Sequence, residues 1–192
     1  MSSLEKGKVG NLAGMKAARI GLAMLCAGLV GGCFQPLYGQ RSTTGGPSIV
    51  SQLAAVEVQP IDAANGTPEQ RLGIEVRNAL IYDLTGGSGA APSTHKLKIQ
   101  LSASRQQVIV DITTARPDVE NYGIDATYTL TDVATGQIVL TGRTFSRVSY
   151  DIPGQQQRFA RQRGLRDAEN RAASVIAQNI KSRLASYFVA GS

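Results

Sequence analysis

Residues 122–150 read YGIDATYTLTDVATGQIVLTGRTFSRVSY, and this stretch decides the fold. Tyr122, Ile124, Ala126, Tyr128 and Leu130 alternate with Asp125, Thr127, Thr129 and Thr131, the period-two pattern of a strand with one buried face. The segment DVATGQ, residues 132–137, carries turn chemistry at Thr135-Gly136 and sends the chain back as a hairpin. The return strand runs from Ile138 to about Tyr150. Its alternation changes phase near Phe145, which makes Gly142 a candidate β-bulge.

Working outward, Leu97, Ile99, Leu101 and Ala103 alternate with Lys96, Lys98, Gln100 and Ser102, a third half-buried strand. Val108, Ile109 and Val110 continue it past a bend, and Arg116-Pro117-Asp118 reads as a turn or longer loop. Before it, Thr67 is placed to cap a helix, with Pro68 at the first helical position and Gln70 completing a capping box. Leu72, Val76, Ala79, Leu80 and Leu84 form the apolar stripe of that helix, and Gly86-Gly87 stop it. A short first strand is expected over 54–59, ended by Pro60. Beyond Pro153-Gly154, a long helix spans about Phe159 to Phe188. Leu165, Ala168, Ala172, Val175, Ile176, Ile180, Leu184 and Phe188 lie on its stripe. The order strand, helix, three strands, helix predicts an α+β fold. Its sheet is mostly antiparallel and four-stranded, with both helices packed on one face.

The first 32 residues read differently. Lys6, Lys8, Lys16 and Arg19 form a basic region, followed by the uncharged apolar run IGLAMLCAGLV at 20–30 and the small residues Gly31 and Gly32. This is the grammar of a secretory signal, and the run is well short of the ~20 residues a spanning helix needs. Met15 offers a second start that would give a more compact leader. Val30-Gly31-Gly32-Cys33 resembles a bacterial lipobox, in which the cysteine thiol takes a diacylglycerol, the leader is cut before it and the new amine is acylated. Residues 1–32 are thus expected to be a lipoprotein signal peptide with Cys33 lipidated. Residues 33–47, rich in Gly, Ser and Thr, form a flexible tether, and 48–192 a single domain. Phe34, rather than Asp, follows the cysteine, which by analogy with lipoprotein sorting favours the outer membrane, facing the periplasm.

Charge and composition remove several classes of function. The 192-residue chain has a net charge of +6, but the leader holds four of its 20 basic residues and one of its 14 acidic ones. The remainder is therefore only mildly basic, and nucleic acid is not an expected partner. Cys26 leaves with the leader and Cys33 is consumed by lipid, leaving neither thiol nor disulfide. There is one histidine, His95, and no tryptophan. No nucleophile elbow, Walker loop or zinc-protease motif is present, so neither enzymatic activity, a metal nor a cofactor is expected.

Two groups of cations stand out. Lys96 and Lys98 share the polar face of one strand, Arg143 and Arg147 one side of another, and Arg116 precedes the hairpin. Together they could bind an anionic lipid head group, since guanidinium forks match phosphate geometry, or simply solvate a sheet face. Arg158, Arg161, Arg163 and Arg166 crowd the start of the last helix against its dipole. That reads either as an acidic-partner site or as a solvated helix end.

The run CFQPLYG at 33–39 resembles the mature start of the lipopolysaccharide-assembly lipoproteins, the LptE family. Phe159-Ala160, Asp167-Ala168-Glu169, Arg171-Ala172 and the stretch 180–188 are similar to that family's last helix. The resemblance implies a plug within the β-barrel of the outer-membrane lipopolysaccharide translocon, acting as an assembly factor that helps deliver lipopolysaccharide to the outer leaflet. It makes Arg116, Arg143, Arg147, Lys96 and Lys98 candidate lipopolysaccharide contacts. A lipoprotein accessory subunit of a phospholipid-transport ABC system would share the leader, tether and small α/β body, and is the alternative.

Overall fold

A computed structural model describes residues 47–87, 89, 91–111, 116–152 and 158–190; the side chains of 109–111, 116–118 and 158 lie outside that description. The elements are α1 (Ile49–Ala54), β1 (Val56–Val58), α2 (Pro68–Thr85), β2 (His95–Asp111), β3 (Arg116–Asp132), β4 (Ile138–Asp151) and α3 (Arg158–Val189). The four strands lie in the order β1-β2-β3-β4; β1 and β2 are parallel and the other two pairings antiparallel. The fold is α+β.

One face of the sheet is dry. Val56 and Val58, Leu97 and Ile99, and Ile124, Ala126, Tyr128 and Leu130 all point to the side where α2 and α3 pack. Leu72, Val76 and Leu80 of α2 meet Ala173, Ile176, Ala177 and Ile180 of α3 in the same cluster. Each large apolar side chain buried this way contributes about 1.5–3 kcal/mol, so the stripes legible in the sequence also supply the cohesion. The alanines of α3 keep its backbone close to its neighbours, while Val175, on the expected stripe, is 40% exposed.

Helix α2 begins and ends where its punctuation places it. Thr67 Oγ1 accepts from the Gln70 N–H at 3.2 Å, and Gln70 Oε1 accepts from the Gly66 N–H at 2.8 Å, one residue further back than in a standard capping box. At the other end Gly86 adopts φ +63° and donates its N–H to Tyr82 O at 2.8 Å. The hairpin is equally well specified: Asp132 O accepts from Gly136 N–H at 2.9 Å and Asp132 Oδ1 from Thr135 N–H at 2.8 Å.

Four expectations are corrected. Residues 49–54 form α1, capped by Ser48, so the first strand starts at Val56 and keeps only three residues. The short strand fits a segment whose Val-Glu-Val alternation is cut off by Pro60, which has no N–H for the sheet. Arg116-Pro117-Asp118 is not a turn but the start of β3; it pairs back to Asp111 and Val110 across a register irregularity near Ile109. Gly142 is not a bulge: it sits in regular register opposite Tyr128, and the extra residue is Val139, between the pairs Leu130–Leu140 and Thr131–Ile138. Finally, Ala103 is exposed although its partner Ile124 is fully buried, because β1 pairs with β2 only as far as Leu97 and leaves β2 as the sheet edge at this level.

Gly142 has a different reason to be glycine. A Cβ there would run into the ring of Tyr128, which lies across it on the helix-facing side. At the same end of the domain as the α2 N-terminus, Tyr150 Oη donates to Glu120 Oε2 at 2.5 Å inside the protein, and Arg161 of α3 approaches that carboxylate at 3.9 Å. Arg71 of α2 pairs with the buried Glu169 of α3, tying the two helices together.

Candidate functional site: the open face of the sheet

The other face of the sheet carries no helix among the described residues. Because side chains alternate along each strand, every second residue is turned outward there, and strand register sorts these residues into rows. Glu57, Lys96, Thr131 and Ile138 form one row; Lys98, Thr129 and Thr141 the next; then Gln100, Thr127 and Arg143. Beyond them lie the rows Ser102–Asp125–Phe145 and Ser104–Gly123–Arg147. Hydroxyls and cations make up most of this surface, with the carboxylates of Glu57 and Asp125 and the apolar Ile138 and Phe145 set among them.

Of the five cations singled out in the sequence, four come together on this face. Lys96 and Lys98 are exposed on β2, and Arg143 and Arg147 are exposed on β4, two strand spacings or roughly 10 Å away. None of Lys96, Lys98 and Arg143 makes an ion pair among the described residues. The backbone of Arg116 lies at the far end of the β2–β3 ribbon, opposite Asp111, and its side chain is outside the described residues. It does not belong to the same group of rows.

Arg147 is different from the other three. Its Nη2 donates to both oxygens of Asp125, at 2.9 and 3.2 Å, and its Nη1 donates to Ser146 O at 3.1 Å and Ile124 O at 3.2 Å. The stem crosses Gly123, where a Cβ would sit 2.9 Å from Arg147 Cδ and 2.8 Å from Ser104 Oγ. The guanidinium therefore lies pinned to the sheet, 5.6 Å from the centroid of the Phe145 ring. Phe145, 65% exposed, is the large aromatic side chain on this face. It was missed as a site residue because the sequence shows it only as a disturbance of alternation. An apolar side chain on the polar face imitates a change of phase, although the register through it is unbroken.

The remaining sequence candidates have local roles. His95 Nδ1 is 2.8 Å from Thr94 Oγ1, its Nε2 is 3.9 Å from Asp132, and its ring meets Phe188 edge-on at 5.3 Å. The Asp132 carboxyl is held below its ordinary range first by the N–H of Thr135. At the start of α3, Arg161 faces Glu120, Arg171 pairs with Asp167 at 2.7 Å, and Arg163 and Arg166 are exposed. An open groove of about 680 Å³ lies between the 60–65 segment and α2, lined by Ile61, Ile74 and Arg77, away from the basic rows. Among the described residues no three His, Cys, Asp or Glu side chains gather as metal ligands, and no helix is long and apolar enough to cross a membrane. Cys33 and the whole leader and tether through residue 46 lie outside the described residues.

Residues 53–184, from the end of α1 to the last turns of α3, match the lipopolysaccharide-assembly family LptE. The chain belongs to that family. The match spans the packed body and both edges of the open face, and makes the chain one of the lipopolysaccharide-assembly lipoproteins. A solved protein from Caulobacter crescentus CB15 is similar to it, with 23% identity over 75% of this chain and 97% of its own, and a TM-score of 0.58. A minor lipoprotein from Acinetobacter baumannii is similar at 12% identity, covering 68% of this chain and 90% of its own, with a TM-score of 0.51. At these identities the two structures speak for the fold alone. No curated protein matches the chain.

Proposed function

We propose that this LptE-family protein is an outer-membrane lipoprotein, anchored through Cys33 on the periplasmic side. There it forms a complex with the lipopolysaccharide translocon β-barrel, as its plug and assembly factor. The observation that carries the reading is the family match over the packed body, 53–184, together with a sheet face left open and polar. A body inside a hydrated barrel needs this division. Its cohesion must come from one dry side, and its outward surface must exchange hydrogen bonds with water and barrel walls.

In the same reading, Lys96, Lys98 and Arg143 reach the phosphates of lipopolysaccharide, being the cations of the open face that make no ion pair among the described residues. Arg116 joins them only if the end of the β2–β3 ribbon folds toward that face. Arg147, already paired with Asp125, is not one of these unpaired cations. The role is one of binding and delivery without catalysis.

The test is isolation of the tagged protein from native outer membranes in mild detergent, with partners identified by mass. Recovery of a large β-barrel at one-to-one stoichiometry is expected. Recovery alone overturns the plug role, and recovery with inner-membrane transporter subunits replaces it with the phospholipid-transport alternative. Cys33→Ser is expected to move the protein out of the membrane fraction while its circular dichroism stays unchanged; retention in the membrane would remove the lipid anchor from this picture.

A further inference from the structure

The arrangement around Phe145 asks for a ligand of particular chemistry. Across β3 the ring faces Asp125; along β4 it is flanked by Arg143 and Arg147; Ser102 lies one strand further on in the same row. The phenyl is thus an apolar spot one ring wide, bordered by a carboxylate, two guanidinium groups and a hydroxyl. A docking protein helix or an acyl chain needs a continuous apolar track, and a single 65% exposed ring does not provide one. A pyranose does fit. Its axial C–H groups make an apolar patch of ring size, and its rim is a circle of hydroxyls that both donate and accept.

The polar groups are also set in place in advance. Four hydrogen bonds and the floor left by Gly123 hold Arg147 flat, so its side-chain entropy is already lost before any ligand arrives. Asp125 accepts two bonds from Arg147, and a carboxylate has about four lone-pair sites, so sugar hydroxyls can still donate to it. With both its oxygens turned to the one Arg147 Nη2, the Asp125 carboxylate is fixed in place and its remaining lone pairs can accept from neighbouring sugar hydroxyls. One row away, Arg143 is free of ion pairs among the described residues, and Lys98 lies two strands across and one row further on, so charge favours a sugar bearing phosphate or carboxylate.

We infer that Phe145, Arg147 and Asp125 form a saccharide-recognition site on the open sheet face, stacking one pyranose ring of an anionic oligosaccharide whose acidic group reaches Arg143. The inference deepens the lipopolysaccharide reading above and rests on it for the source of the sugar. It assigns recognition at this place to the glycan rather than to the acyl chains.

Calorimetric titration of the full-length lipoprotein in zwitterionic detergent tests it, with four probes. These are fully deacylated phosphorylated lipopolysaccharide core oligosaccharide, intact lipopolysaccharide, inorganic phosphate and micelles doped with anionic phospholipid. The oligosaccharide is expected to bind, with at least a tenfold loss in Phe145→Ala, retention in Phe145→Tyr and an unchanged thermal midpoint in both. Binding of the oligosaccharide that Phe145→Ala leaves intact overturns the site. Binding of intact lipopolysaccharide alone, lost in Arg143→Glu but not in Phe145→Ala, also overturns it while leaving the lipopolysaccharide contact standing. Equal binding of inorganic phosphate or anionic phospholipid reduces the face to a simple anion surface. Phe145-dependent oligosaccharide binding by a protein that recovers no barrel would keep the site and remove the plug role.

Discussion

The two faces of the one sheet obey opposite rules. On the helix side, Leu97, Ile124 and Leu130 are sealed against α3 and α2, and Ser146, Glu120 and Tyr150 are buried among the apolar side chains. On the open side, the residues one position along the same strands are Lys98, Asp125 and Thr131, and the aromatic Phe145 stands in solvent. The lesson is that a single strand can serve two tasks because its side chains alternate. The inner set holds the body together, while the outer set is released from packing and can be chosen for what it touches.

The comparison would break most visibly on the inside. Ile180 lies fully buried at the centre of the helix–sheet contact, and Ile180→Ala is expected to cost about 2–5 kcal/mol in a denaturant melt. A loss below 1 kcal/mol would mean that α3 is not part of the core. Gly142→Ala, on the same side, forces a methyl into the Tyr128 ring and is expected to cost about 1–3 kcal/mol. A neutral result would show that β4 can move away from Tyr128, and would revive a bulge at this position.

A smaller effect separates the faces by pH. Burial first, and then the hydrogen bond to Glu120, push the Tyr150 hydroxyl from its ordinary 10 up to about 12. Below pH 10 the phenol keeps its proton in both the folded and unfolded chain, and its contribution is fully present. Between pH 10 and about 12 the unfolded chain loses that proton first, so stability falls as pH rises. Tyr150→Phe should flatten this part of the stability profile relative to the parent protein; two parallel profiles would place the hydroxyl in water. The smallest effect belongs to the open face. Phe145→Ala and Arg143→Glu should each change stability by no more than about 0.5 kcal/mol, since neither side chain is packed. A larger loss from either would mean that the outer set also carries the fold.

Helix α2, the hairpin at 132–137 and the α3 stripe were readable in the chain because each is specified by neighbours within one or two turns. The relevant groups are Thr67 and Gln70 at a helix start, Gly86 at its end, and Asp132 and Thr135 in a turn. The membership of Lys96, Lys98, Arg143 and Arg147 in one face was nearly as readable, because it needs only alternation and a regular hairpin. Three things were not. Whether 49–54 is helix or extended depends on contacts that α1 makes with α2 and α3, far along the chain. Gly142 looked like a bulge until Tyr128 was seen to occupy the space of its absent side chain. Phe145 looked like a break in pattern until the ladder ran through it unbroken and left it beside Arg147 and Asp125. Local hydrogen bonds and side-chain periodicity are properties of consecutive residues, so the sequence alone determined α2, the hairpin and the buried stripe of α3. Which residues meet across strands, Tyr128 with Gly142 or Asp125 with Phe145, depends on register between separate segments of the chain, and that only the folded sheet decided.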